Sequence, residues 1–138
     1  MTTKATIAKP TADRPSRGQS LVEFSLMLPF LLLVLVGVVD LGRVYFSYMT
    51  IVNAAREGAR YGAEYPTDST GITSHAQNEA DGAIVLPAQL TVTTNCPCAQ
   101  ENPITVTVQT NFQLITTLIF GGGTIPLQAS NAMVVFGQ

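Results

Sequence analysis

The chain is poor in the side chains that do chemistry. It holds one histidine, His75, and two cysteines, Cys96 and Cys98. Two cysteines cannot saturate a zinc site. No Ser-His-Asp set, paired-carboxylate pattern or phosphate cradle is placed for catalysis, and the Gly121-Gly122-Gly123 run lacks the Lys and Ser/Thr of a P-loop. Charge is scarce, at 12% of residues, and no basic cluster offers an electrostatic footprint for nucleic acid. Of the 138 residues only 72 follow Pro66, which excludes a multidomain enzyme. The expectation is a protein that is not an enzyme and holds no metal or cofactor, with His75 at the surface.

What the chain has in excess is a greasy segment. Phe24 to Val39 is an uncharged run with thirteen Leu, Val, Phe or Met side chains among sixteen residues, broken only by Ser25, Pro29 and Gly37. Few soluble folds bury such a run on all sides, whereas a bilayer does. At roughly −0.3 to −0.6 kcal/mol per apolar residue the thirteen supply about −4 to −8 kcal/mol, against about +2.5 to +3.5 for one carboxylate at mid-membrane. Sixteen residues span only about 24 Å of a core about 30 Å thick, so Leu21, Val22 and Leu41 belong to the span as well. Glu23 and Asp40 then lie near its two faces. A carboxylate at the edge of a membrane helix is a functional candidate in need of a partner.

Charge orients the span. Before Gly18, Lys4, Lys9, Arg14 and Arg17 face only Asp13, whereas the remainder has three basic and eight acidic residues. The positive-inside rule puts the N-terminus in the cytoplasm and the rest beyond the membrane. The leader has no apolar core of its own, and Val36 to Arg43 has no small-residue cleavage site, so the apolar segment is expected to stay attached.

Helical spacing continues past the membrane. Val44, Tyr48, Ile51, Val52, Ala55, Ala59 and Gly62 recur at steps of three and four, with Asn53, Glu57, Arg60 and Glu64 on the other face. One helix is predicted from about Ser20 to Ala63, ended by Pro66. Its outer half is rich in small residues, with Ala54, Ala55, Gly58, Ala59, Gly62 and Ala63 leaving room for close packing against another helix or under the chain's own sheet. Thr67 to Gly71 reads as a loop and Ser74 to Ile84 as a short helix. Leu90 to Thr94, Ile104 to Phe112 and Ile125 to Phe136 alternate as antiparallel strands, with a bulge expected at Ser130-Asn131. Gln113 to Phe120 is apolar and reads as a turn or loop.

The fold class is therefore α+β: a long N-terminal helix, transmembrane and then stalk, packed by its outer half on a small antiparallel sheet. The expected divisions are a cytoplasmic leader over 1–18, a transmembrane helix over 19–42, a stalk over 43–65 and an extracytoplasmic head over 66–138. An exported head lies in an oxidising compartment, so a Cys96–Cys98 disulfide is expected, although a ring over one residue demands unusual geometry and two reduced thiols remain an alternative.

Gly18-Gln19-Ser20-Leu21-Val22-Glu23-Phe24 resembles the processing site of prepilins, cut after the glycine, with an acid at the fifth mature position. The longer pattern, Glu23-Phe24-Ser25-Leu26-Met27-Leu28-Pro29, an apolar stretch, then Ala55-Arg56-Glu57-Gly58-Ala59-Arg60, resembles the TadE-like family, minor pseudopilins of tight-adherence (Tad) pilus systems. Phe24 stands where the major pilins favour Tyr, as in the minor members. The resemblance covers Arg17 to Ala63 and implies a structural role in assembling a Tad-type pilus for adhesion or secretion. It implies as partners a membrane prepilin peptidase cutting between Gly18 and Gln19, other pilins or pseudopilins, and an inner-membrane platform with a motor ATPase. Localisation in the cytoplasmic membrane, with association to the pilus, follows from the same resemblance.

Cutting after Gly18 would remove the basic leader and leave an ammonium on Gln19. Glu23 of one subunit meeting the Gln19 ammonium of the next would avoid the penalty of a carboxylate buried alone and would set register, Phe24 standing beside it. An acid snorkelling at the membrane edge is the plain alternative. Gly18 permits close approach of a protease to an extended backbone. The rival function is an unprocessed single-pass envelope protein with a partner-binding head.

Overall fold

The computed structural model describes residues 18–83, 89–98, 101–117 and 121–136. Helix α1 spans Gln19–Glu64 and helix α2 Ser69–Glu79; strands β1, β2 and β3 span Thr91–Asn95, Pro103–Gln113 and Thr124–Val134. This is the expected α+β arrangement of a long apolar helix with a three-stranded antiparallel sheet, in the order β1-β2-β3. The chain forms two compact units, Met1–Val34 and Leu35–Gln138. In the first, every residue from Gly18 to Val34 is exposed, including Phe24, Leu26, Met27, Phe30 and Leu31 at 60% or more. A water-soluble helix would hide such a surface; this one is long and apolar enough to cross a membrane.

The second unit owes its core to the spacing of small residues on α1. Asp40, Ser47, Ile51, Ala54, Ala55, Gly58, Ala59, Gly62 and Ala63 are buried, a stripe at steps of seven, four and three. The missing side chains let β2 and α2 come close. A Cβ at Gly58 would lie 3.1 Å from Val106 Cγ1 and 3.3 Å from Ala76 Cβ, and one at Gly62 only 2.8 Å from Ile104 Cδ1 and 3.1 Å from Ile72 Cδ1. Ile51, Ile72, Ile104, Val106 and Val108 are fully buried, each worth about 1.5–3 kcal/mol relative to exposure.

Strand β2 supplies the opposing wall because its alternation is regular: Ile104, Val106, Val108, Thr110 and Phe112 face inward. It runs back along α1, with Ile104 against Gly62 and Val106 against Gly58. Phe112 and the β2–β3 turn therefore sit near Asp40, and the chain returns along β3 until the Phe136 amide donates to the Ala63 carbonyl at 3.1 Å.

Three local expectations are corrected. Helix α2 begins at Ser69 rather than Ser74, because Asp68 caps it: its Oδ1 accepts the Gly71 N–H at 2.9 Å while Oδ2 accepts the Tyr61 hydroxyl at 2.9 Å. A Cβ at Gly71 would collide with Asp68 and Tyr61, so glycine is needed for that approach. Ser130-Asn131 forms no bulge; pairing is unbroken from Pro103↔Val134 to Gln113↔Thr124. Ser130 fits because it lies opposite Thr107, the two hydroxyls 2.9 Å apart on the wet face. Tyr48 points outward, 44% exposed, because the buried stripe passes through Ser47 instead. The expected end of α2 at Ile84 lies outside the described residues, as do 118–120 and all of the leader except Gly18.

Candidate functional site

The N-terminal motif opens α1. The Gly18 carbonyl accepts the Val22 N–H at 3.2 Å, starting the helical ladder. A Cβ at Gly18 would meet no atom within 4 Å, so the fold places no demand for glycine there. One helical turn puts Gln19 and Glu23 on the same face, and Gln19 Nε2 donates to Glu23 Oε1 at 3.4 Å. Ser25 folds its hydroxyl onto the Leu21 carbonyl at 2.8 Å, which hides a polar group within the apolar run. Glu23 is exposed and Phe24 is 60% exposed.

A second cluster lies at the other end of the apolar run, and sequence reasoning missed its role. Asp40 is 2% exposed; its Oδ1 accepts the Ile115 N–H at 2.9 Å and its Oδ2 the Thr116 N–H at 2.8 Å. Arg43, one turn on, reaches Asp40 Oδ1 at 3.3 Å and lies 5.0 Å from the centre of the Phe112 ring. Thr117 closes the turn by donating to the Leu114 carbonyl at 2.6 Å. The carboxylate thus acts as a cap supplied from a distant part of the same chain, holding two consecutive amides that the turn leaves without strand partners. The available signal was an acid at the end of an apolar run followed by Arg at i+3; nothing local named residues 75 positions away.

The small residues Ala55, Gly58, Ala59 and Gly62 are buried under α2 and the sheet of their own chain. On the opposite face Arg60 grips Glu57 with two bonds, Nε to Oε2 at 2.8 Å and Nη2 to Oε1 at 2.6 Å, and this guanidinium holds the Glu57 carboxyl below its ordinary range. His75 is half-buried, stacked on Tyr61 with ring centres 4.2 Å apart, and its Nδ1 lies 3.7 Å from Glu57. Cys96 and Cys98 are joined by a disulfide, with Cα atoms 4.9 Å apart, and Cys98 takes a left-handed φ of 51° that turns the chain at the end of β1. Among the described residues no cluster of His, Cys, Asp or Glu could hold a metal ion.

Chemically, the arrangement offers an exposed apolar helix with an acid one turn from its start, and a head fastened by a buried carboxylate. Residues 18–60 match the sequence model of TadE-like proteins, the family that the resemblance named. The matched stretch runs from Gly18 through Asp40 and Arg43 to Arg60, less than half of the chain. Comparison with curated proteins and with solved structures returned no match.

Proposed function

Taking the TadE-like signature of residues 18–60 as premise, we propose that the chain is a minor pseudopilin, a structural component in the assembly of a Tad-type pilus serving adhesion or secretion. It sits in the cytoplasmic membrane as a single-pass protein, N-terminus inside and head outside. A prepilin peptidase cuts between Gly18 and Gln19, and the matured helix joins other pilins or pseudopilins at the inner-membrane assembly platform. The chain is a peptidase substrate and not itself a catalyst.

The observation that carries this reading is the coincidence of the family match with a helix exposed on all sides from Gln19 to Val34. Such a surface is stable in lipid and equally stable against other apolar helices, which is what transfer from bilayer to filament requires. Removal of the leader takes away four cations that would otherwise hold the N-terminus on the cytoplasmic side. The freed Gln19 ammonium then becomes the counter-charge for Glu23 of a neighbouring subunit. That pair contributes register more than stability, because desolvating both charges offsets much of their attraction.

The test is the mature N-terminus, read by mass spectrometry from cells with an active prepilin peptidase. The wild-type chain should begin at Gln19, and Gly18→Ala should retain the leader. The open space around Gly18 means that the substitution leaves the fold intact, so a processing defect would not be a folding defect. A wild-type chain still beginning at Met1 would favour the unprocessed envelope protein.

A further inference from the structure

The β2–β3 turn is tied to a fixed height on α1. Its Ile115 and Thr116 amides lie 2.9 and 2.8 Å from the Asp40 carboxylate, which places the turn within about one helical turn, about 5 Å, of Asp40 along the axis. That height is the end of the apolar run. Within the same compact unit Leu35, Val38, Val39 and Leu41 are 60%, 63%, 47% and 71% exposed, and just beyond them Tyr45 and Phe46 are 62% and 63% exposed. Exposed aliphatic residues giving way to aromatic ones is the pattern of a helix leaving hydrocarbon for the headgroup layer.

The turn matches that level in character. Ile115 is 36% exposed and Ile125 40%, the latter paired in register with Phe112, whose ring is held by Arg43. Ile125 belongs to the face of β3 that carries the half-buried Leu127 and the buried Ala129, and at this end of the sheet that apolar face is left uncovered. Asp40 removes the obstacle to placing such a turn near lipid, since it satisfies two amides that would otherwise need water.

We infer that Ile115, in the first residues of the β2–β3 turn, and Ile125, at the start of β3, form a second membrane contact in the interfacial layer of the bilayer that α1 crosses, with the Asp40 carboxylate holding Ile115 and Thr116 at that level. The inference rests on the membrane reading of α1. Its consequence is a head seated on the lipid surface at two points.

The chain has no tryptophan, so single-Trp variants each report one position. The full chain is reconstituted in phosphatidylcholine vesicles whose acyl chains are brominated near the headgroup end. Val38→Trp marks the span, Asn95→Trp marks the opposite end of the sheet, and Ile115→Trp with Ile125→Trp reports the turn. The expected result is a blue-shifted maximum and loss of most emission for Val38→Trp and the two turn variants, with Asn95→Trp unquenched. Far-ultraviolet circular dichroism of each variant checks that the sheet has formed, and Ile125→Trp serves should Ile115→Trp misfold. Turn variants as water-exposed as Asn95→Trp, alongside a quenched Val38→Trp, would overturn the second contact and leave the span standing. An unquenched Val38→Trp would sink both, and equal quenching of Asn95→Trp would overturn a contact confined to the turn.

Discussion

Replacing Gly62 by Val tests whether the small-residue face of α1 is filled by its own head. A Cβ at that position would already lie 2.8 Å from Ile104 Cδ1 and 3.1 Å from Ile72 Cδ1, and both isoleucines are fully buried. For Ala, a helix-propensity gain of about 0.8–1 kcal/mol partly offsets the overpacking. Val forfeits most of that gain through its stiff χ1 and adds two more carbons to a filled space, so the overpacking cost of about 1–3 kcal/mol should appear nearly in full. A loss of about 2 kcal/mol in a head of this size lowers the melting temperature by about 8–16 °C. The assay is thermal unfolding of the full chain in detergent micelles, followed by tyrosine fluorescence and circular dichroism. Gly42→Ala is the control, since a Cβ there would meet nothing within 4 Å, and it should leave the melting temperature unchanged or slightly raised. A Gly62→Val head that melts with the wild type would refute the packing argument. Combined with lost pilus assembly, it would assign the glycine face to another subunit.

Asp40→Ala should leave the Ile115 and Thr116 amides without their acceptor, and their hydrogen exchange should speed up by at least about tenfold while amides in the middle of β2 are little changed; unaltered exchange at both would mean that the clasp holds nothing. Acid should loosen the head. Asp68 is held below its ordinary 3.8 by the Gly71 N–H and the Tyr61 hydroxyl, and Glu57 below its ordinary 4.5 by the Arg60 guanidinium. Since each folded value is the lower, the folded state binds fewer protons, and the contribution is complete above the unfolded values and lost as pH falls through the folded ones. The urea midpoint should be flat above about pH 5 and fall below about pH 4, and a midpoint that rises on acidification would contradict both assignments. Glu23→Ala should insert into membranes normally yet fail to support piliation, and a fully piliated Glu23→Ala strain would remove the acid from the assembly step.

The helices and strands were legible where the signal is periodic. The apolar run, the small-residue spacing and Pro66 together gave α1 to within a residue at each end, and period-two alternation gave β2 and β3 to within two. Helix α2 was misplaced because its start was set at Ser74, although Asp68 is an equally good capping residue and accepts the Gly71 N–H three residues on; only the Tyr61 hydroxyl that also holds Asp68 has no local signature. Tyr48 was assigned inward because a step of three or four from Ile51 reaches either Ser47 or Tyr48, and apolarity chose the wrong one. Of the candidate site, Gly18, Gln19 and Glu23 were visible as a contiguous motif. Asp40 was visible only as a boundary marker, because its partners Ile115 and Thr116 contribute backbone amides, which have no signature in the choice of side chain.

The bond from the Phe136 amide to the Ala63 carbonyl has a practical consequence for anyone labelling the protein. Polypeptide that follows Phe136 starts out beside the last turn of α1, some 23 residues and about 35 Å of helix from Asp40. A fluorophore or affinity tag fused there would start its path well clear of Asp40 and the β2–β3 turn, whereas an insertion at Gly121–Gly123 would be delivered directly onto them.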